Sequence, residues 1–191
     1  MSRLTLLLAI VVVTLGLGSP AQAVVILFET DLAPEVAGSS GSGTALVTYD
    51  SVAHTLVVDA EWENLTGTTT VAHIHCCVSP PGTVGVATYP STFPGWPTGV
   101  TFGSYISPTP IDLTLASSFT TGFVNNFAGG VVADAEEALI AGLLAGQAYF
   151  NVHTSFAPGG EIRGFLQVPE PTMLGLLMLG IAGALSRRRI S

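Results

Sequence analysis

The chain has 191 residues, of which 48% are hydrophobic and only 9% are charged, and its formal net charge is −8. It has no lysine, and four of its five arginines lie in residues 1–23 or 169–191, so residues 24–168 hold 12 acidic side chains against Arg163 alone. A surface of that sign repels nucleic acid and anionic lipid, which argues against both as partners of the central segment.

The N-terminal segment, residues 1–23, has the plan of a secretory signal peptide. Arg3 precedes an apolar run from Leu4 to Leu17, and the segment ends in the small-residue pattern Ala21-Gln22-Ala23. We predict export through the Sec pathway and cleavage after Ala23. A permanent membrane anchor is the alternative, but the run has 14 residues, whereas a bilayer span needs about 20.

Residues 24–65 carry three successive strand patterns. The stretches VVILFET, GTALVTYD and HTLVVDAEWENL combine β-branched and aromatic residues with partial alternation and Gly, Asn or Asp breaks, which predicts antiparallel strands. Asp59, Glu61 and Glu63 share one face of the third stretch. They suggest carboxylate chemistry or a calcium site, but a solvated strand face also carries such residues without further function.

The next strand pattern, TTTVAHIHCCV, contains candidate ligands. His73, His75 and Cys77 share a face, because alternate residues of a strand point the same way. Cys76 and Cys77 are neighbours, so they cannot staple distant strands of one chain together. Three states remain open for them: a disulfide with each other, a bond to another chain, or thiols that bind a metal.

The second half of the central segment mixes loop, helix and strand patterns. A long Pro- and Gly-rich stretch over residues 79–107 contains enough aromatic residues to indicate an ordered loop. Helical patterns follow near residues 117–145, and AYFNVHT and EIRGFLQV, joined by APGG, predict a final hairpin. Residues 24–168 are therefore predicted to form one all-β, antiparallel sandwich or barrel with a short helical insertion near residues 117–145.

The C-terminal segment, residues 169–191, resembles the PEP-CTERM sorting signal of Gram-negative bacteria. It contains the Pro169-Glu170-Pro171 turn, an apolar run from Met173 to Leu185, expected to be helical like the N-terminal run, and the basic cluster of Arg187, Arg188 and Arg189. The resemblance implies transient anchoring in the inner membrane and recognition by an exosortase-type membrane protease. It also implies delivery to the outer surface or extracellular matrix, with exopolysaccharide or other matrix components as partners. A plain C-terminal membrane anchor is the alternative.

The central segment resembles the CHRD domain over roughly residues 27–166. The markers are AHIH at residues 72–75, AYFNVHT at residues 148–154 and PGGEIRGFL at residues 158–166. The cysteine pair stands where the family usually has a glycine, which resembles a bacterial subgroup that also carries the sorting tail. The resemblance implies an immunoglobulin-like or superoxide-dismutase-like β fold, extracellular placement and no established catalytic activity.

Two hypotheses explain the histidines His73, His75 and His153. Imidazoles at positions i and i+2 of a strand can chelate one Cu or Zn ion, a third can come from a neighbouring strand, and Cys77 or Glu161 are candidate further ligands. Alternatively, the histidines are buried polar residues that hydrogen-bond across strands and to Glu161. In that case Asn151, Glu161 and Arg163 form a core polar network, with Glu161 and Arg163 either paired or holding backbone groups of neighbouring loops.

The sequence therefore predicts a non-enzymatic exported protein with no cofactor and a structural or adhesive role at the cell surface or in the matrix. It lacks a phosphate loop, a Gly-x-Ser-x-Gly motif and a His-Glu-x-x-His motif. The rival hypothesis is an exported protein that binds Cu or Zn through the HxH and NVHT histidines. A redox-linked role for the bound metal is a further part of that hypothesis.

Overall fold

The computed structural model describes residues 24–89 and 91–170, which form a mostly β fold. The strands, in chain order, are β1 (Val25–Pro34), β2 (Ser42–Asp50), β3 (Thr55–Glu63), β4 (Thr69–Cys76), β5 (Gly103–Ile106), β6 (Ile111–Asp112), β7 (Ala148–Thr154) and β8 (Ile162–Phe165). The helices are α1 (Thr121–Phe127) and α2 (Ala135–Leu144), with short 3-10 turns at Ala116–Ser118 and Val132–Asp134. The predicted antiparallel β class with a short helical insertion is confirmed.

The predicted signal peptide and the apolar run of the sorting segment, with the helices expected in both, lie outside the described residues. Within residues 24–89 and 91–170, no helix is long and apolar enough to cross a membrane.

All strand pairs are antiparallel, and the strand order is β4-β7-β8-β1-β2-β3-β5, with β6 also paired to β3. The sheet curls into a half-barrel, and residues 99–101 connect its two ends. The Gly99 amide donates to the Thr69 carbonyl in β4 at 2.8 Å, and the Leu65 amide, just after β3, donates to the Thr101 carbonyl at 3.1 Å. The order places β4 beside β7, although 71 residues of chain separate their ends.

The inner face of the half-barrel is apolar, and its residues alternate with solvent-facing ones as the sequence predicts. In β3, Leu56, Val58 and Trp62 are buried, whereas Glu61 and Glu63 are exposed. β7 differs, because all seven of its residues are buried. Its second face is therefore covered by other chain segments, and that face carries the candidate site.

Helix α2 packs one stripe of small and aliphatic residues against the sheet. Ala135, Leu139, Gly142 and Leu143 are buried, at the spacing expected for one helix face. Gly146, two residues after the end of the helix at Leu144, has a φ of 65° in the left-handed region. The following amide of Gln147 donates to the Gly142 carbonyl at 2.8 Å, which is the usual way that such a glycine closes a helix.

The last hydrogen-bonded residue before the sorting segment is Gln167. Its amide donates to the Glu29 carbonyl at 3.0 Å, and the Glu29 amide donates back to the Gln167 carbonyl at 2.8 Å. Leu166, just before it, is fully buried. The fold thus extends to within two residues of Pro169.

Candidate metal centre

Pairing of β4 with β7 brings the three candidate histidines onto one face. His73 lies opposite Asn151, and Val71 lies opposite His153, with His75 two residues further along β4. One ring nitrogen of each histidine lies within 4.8 Å of the other two. In the part of the chain that the structure describes, no other group of three His, Cys, Asp or Glu side chains is arranged to hold an ion.

The other nitrogen of each ring is bound to a backbone carbonyl. His73 Nε2 lies 3.1 Å from the Ser91 oxygen, His75 Nδ1 lies 2.8 Å from the Val84 oxygen, and His153 Nδ1 lies 2.8 Å from the Pro158 oxygen. A carbonyl oxygen only accepts, so each of these nitrogens carries the ring proton and donates it. In a neutral imidazole the remaining nitrogen then presents a lone pair.

The nitrogens left with a lone pair are therefore His73 Nδ1, His75 Nε2 and His153 Nε2, and the three rings each bring one nitrogen within 4.8 Å of the others. Burial lowers the pKa of His73 and of His75 from 6.5 to about 4, although the hydrogen bonds to Ser91 and Val84 act in the opposite direction. Both rings are neutral at neutral pH. His75 Nε2 is buried and has no hydrogen-bond partner, and such unpaired buried atoms are rare in folded proteins.

The separation between two of these nitrogens matches a shared ligand sphere. His73 Nδ1 lies 3.4 Å from His153 Nε2. Two imidazole nitrogens bound to one tetrahedral zinc at about 2.0–2.1 Å are roughly 3.3–3.4 Å apart. The His75 nitrogen lies within 4.8 Å of both, so it is the candidate third ligand.

A loop that follows β4 packs against His73 and His75, and we call residues 78–89 and 91 the covering loop. It supplies two of the three carbonyls, those of Val84 and Ser91. Tyr149 holds it in place, because its ring stacks on His75 with centroids 4.7 Å apart, its hydroxyl donates to the Val84 oxygen at 3.1 Å, and the Val84 amide donates to that hydroxyl at 3.2 Å. The ligand orientations therefore depend on a fixed loop.

The chain matches two protein families. Residues 19–166 match the CHRD domain. The chain belongs to the CHRD domain family. Residues 167–189 match the PEP-CTERM protein-sorting motif, so the protein is an exported substrate of the exosortase sorting system of Gram-negative bacteria. No curated protein and no solved structure matches the chain.

Arg163 of this CHRD domain pairs with a residue that the sequence did not indicate. Its guanidinium lies 3.3 Å from the Glu35 carboxylate, and Asn151 Nδ2 donates to the same carboxylate at 3.2 Å. Arg163 also donates to the carbonyls of Pro81 and Gly82 in the covering loop. Glu35 stands just after β1, and only the pairing of β1 with β8 brings it to Arg163.

Glu161 does not belong to the histidine cluster of the CHRD domain, and of its two predicted alternatives, pairing with Arg163 or holding backbone groups of neighbouring loops, the structure has the second. The residue is fully buried, and its carboxylate accepts four hydrogen bonds. The donors are the Ser39 hydroxyl, the Thr66 amide, the Gly67 amide and the Thr154 hydroxyl, at 2.6–3.1 Å. Burial raises the pKa of Glu161, but these hydrogen bonds outweigh it and the net shift is downward. Its role here is to hold the loops beside β1 and β4.

Cys76 and Cys77 are joined to each other by a disulfide, so Cys77 supplies no thiolate to the cluster and is not a ligand in this state. Of the predicted candidate ligands, only the three histidines come together, whereas Asn151 and Arg163 meet at the Glu35 carboxylate. Tyr149, which orders the covering loop, was not among the predicted site residues, although its place two residues from Asn151 on the same strand face was visible in the sequence.

Proposed function

We propose that this exported CHRD domain binds one zinc or copper ion through His73 Nδ1, His75 Nε2 and His153 Nε2. The observation that carries the proposal is the orientation of the three rings, each of which donates its proton outward to a backbone carbonyl. Metal-bound histidines in proteins are fixed in this way by their second nitrogen. Histidines that only fix strand register have no need to aim three lone pairs at one another.

The donor set favours zinc and copper over calcium and magnesium. All three donors are imidazole nitrogens, and no carboxylate or thiolate belongs to the cluster. Imidazole suits Zn and Cu, whereas Ca and Mg require oxygen ligands. Residues 24–168 carry 12 acidic side chains against one arginine, and a net negative charge of that size attracts cations.

The proposed role is binding at the cell surface or in the matrix, without catalysis. The same negative charge disfavours anionic substrates such as superoxide, and Arg163, the single basic side chain of residues 24–168, is engaged by Glu35. A structural or adhesive role in the matrix is the second candidate. The sorting motif supports it, since that motif marks the domain for export and sorting by the exosortase system.

Metal analysis of the exported protein tests the proposal. Protein purified from the periplasm without chelators is expected to retain about one equivalent of Zn or Cu, and added ion is expected to raise the melting temperature of the stripped protein, because a ligand that binds only the native state stabilises it. His73→Ala and His153→Ala should each abolish both effects.

The matched control is His54→Ala, because the His54 side chain is 51% exposed and pairs with Glu136 away from the site. It should leave metal binding unchanged. If the wild-type protein retains neither ion and shows no thermal shift with either, the metal-binding function is wrong and the matrix role becomes the leading one.

A further inference from the structure

The Cys76–Cys77 disulfide lies where β4 passes into the covering loop. Cys76 is the last residue of β4, one position after His75, and the Val78 amide that follows the pair donates to the Gln147 carbonyl at 2.9 Å. Cys76 is buried and Cys77 is half-buried. The disulfide therefore fixes the base of the loop and is partly accessible from solvent.

The two sulfur atoms pack directly against helix α2. A Cβ atom at Gly142 would lie 2.2 Å from Cys76 Sγ and 2.4 Å from Cys77 Sγ, so the glycine leaves room for the sulfurs and for nothing larger. Two unbonded thiol sulfurs need more room than a bonded pair. Reduction must therefore move at least one of them, and Cys77, which directly precedes the covering loop, is the less buried.

Movement at the base of the covering loop reaches two of the three ligands. The loop holds His75 through the Val84 oxygen and His73 through the Ser91 oxygen, and the Ala87 amide ties it to the Ile74 oxygen at 2.9 Å. His153 is held by Pro158, which belongs to a different loop. Displacement of the covering loop frees the rings of His73 and His75 to rotate and to exchange tautomers.

We propose that the Cys76–Cys77 disulfide is a redox control on the histidine site, with the oxidised form binding metal tightly and the reduced form binding it weakly. The inference rests on the metal-binding function proposed above. It assigns a role to the cysteine pair that is separate from ligation: the sulfurs set the position of the loop, and the loop sets the orientation of the ligands.

The reducing partner is a dithiol. One of its thiolates attacks a cysteine sulfur, the S–S bond breaks, and a mixed disulfide forms with the second cysteine sulfur leaving as a thiolate. The second thiol of the dithiol then displaces the first cysteine. Two electrons and two protons pass to Cys76 and Cys77, which become thiols, while the dithiol becomes a disulfide.

The test compares the zinc dissociation constant of the oxidised and reduced forms of the exported protein. Protein is reduced with dithiothreitol, freed of reductant under anaerobic conditions and titrated with Zn²⁺ against a competing chelator. The reduced form should bind Zn²⁺ about 10-fold to 100-fold more weakly, as is usual when the partners that orient a ligand are lost. The double variant Cys76→Ser/Cys77→Ser should match the reduced form with or without dithiothreitol.

Hydrogen exchange gives a second readout that does not depend on metal. The amides of Val84 and Ala87 should lose protection on reduction, whereas those of β8 should keep it. Equal or tighter zinc binding in the reduced form, or unchanged protection of the covering loop, would overturn the inference. Tight binding by both forms leaves the metal-binding function intact and rejects only the redox control, whereas binding by neither form rejects both.

Discussion

His73 and His153 face each other across β4 and β7 through atoms that both accept hydrogen bonds, His73 Nδ1 and His153 Nε2, 3.4 Å apart. The other nitrogen of each ring donates a hydrogen bond to a backbone carbonyl on the far side, His73 to Ser91 and His153 to Pro158. A shared proton would relieve the contact, but burial lowers the pKa of His73 to about 4. A metal ion is the other species that binds two such lone pairs, and it also satisfies His75 Nε2.

The stability of the metal-free protein should fall as the pH is lowered from 6.5 towards 4. The pKa of His73 and of His75 is about 4 in the folded protein against an ordinary value of 6.5, so within this window the unfolded chain binds more protons. The contribution is complete above pH 6.5 and is lost as the pH approaches 4. Each histidine adds at most about 1.4 kcal/mol per pH unit to the slope.

Denaturant unfolding of stripped protein between pH 4 and 7.5 measures this slope. The variant His75→Gln removes one of the two groups and should have a clearly shallower slope, whereas the exposed His54→Gln should not. Equal unfolding free energies at pH 5 and pH 7 would show that the two histidines are not buried in their neutral form.

Glu161→Gln should destabilise the fold without changing metal affinity. The carboxylate accepts two amide and two hydroxyl hydrogen bonds while fully buried, and an amide group would turn a donor towards some of these donors. The expected loss is about 2–4 kcal/mol in the free energy of unfolding. Urea denaturation measures it, with the exposed Glu63→Gln as a control within about 0.5 kcal/mol of the wild type.

The zinc dissociation constant of Glu161→Gln separates the two roles that the sequence allowed. An unchanged constant fits a residue that holds the loops beside β1 and β4. A large increase would mean that Glu161 is a metal ligand, although the structure places it outside the histidine cluster.

The sequence was sufficient to predict which strand faces carry the three histidines. Strand alternation put His73 and His75 on the same face, and the AYFNVHT pattern put His153 on a face with Tyr149 and Asn151, because side-chain direction in a strand is a local property with period two. The short helices near residues 117–145 were also visible from local periodicity. Both kinds of inference depend on residues close together in the chain.

The partners of the histidines were not predictable in this way. The carbonyls of Val84, Ser91 and Pro158 carry no side-chain signature, so their hydrogen bonds follow only from the path of two loops. The pairing of Arg163 with Glu35 depends on β1 lying beside β8, with a sequence separation of 128 between the two residues. Pairing Arg163 with the nearby Glu161 failed because Glu161 turns to the Thr66 and Gly67 amides.

Gly142→Ala should destabilise the oxidised protein, because the added methyl group would lie 2.2 Å from Cys76 Sγ and 2.4 Å from Cys77 Sγ. Overpacking of this kind costs about 1–3 kcal/mol. The matched control is Gly122→Ala in α1, where a Cβ meets nothing within 4 Å and the gain is up to about 1 kcal/mol. Thermal unfolding of both variants decides the point, and a Gly142→Ala variant as stable as the wild type would mean that α2 does not pack on the disulfide.

Tyr149→Phe should weaken metal binding while preserving the fold. The ring that stacks on His75 remains, but the hydroxyl that bonds the amide and carbonyl of Val84 is lost. We expect a fall in zinc affinity of up to about tenfold, since Val84 orients His75. Tyr105→Phe removes a comparable hydroxyl, bound to the Pro94 oxygen at 3.0 Å, and should leave affinity unchanged. Equal affinities in the two variants would show that Tyr149 does not order the site.

Deletion of residues 173–191 should change the destination of the protein. Without the apolar run and the basic cluster, the exosortase system has no substrate segment, so the domain should be released or remain unprocessed. Cell fractionation with an antibody to the domain measures this, and a variant with only Ser191 removed serves as the control. Surface attachment that persists after the deletion would show that another segment carries the address.

The mutual hydrogen bonds of Glu29 and Gln167 limit the distance between the folded domain and the apolar run of the sorting segment. Only residues 168–172 separate this anchor from the apolar run, and the six steps from Gln167 to Met173 reach about 20 Å when fully extended. If the predicted apolar run is held in the membrane, the end of the folded domain lies within about 20 Å of that run. The protease must therefore act within this short distance. The length of connecting segment accessible to it depends on whether the domain folds before or after cleavage.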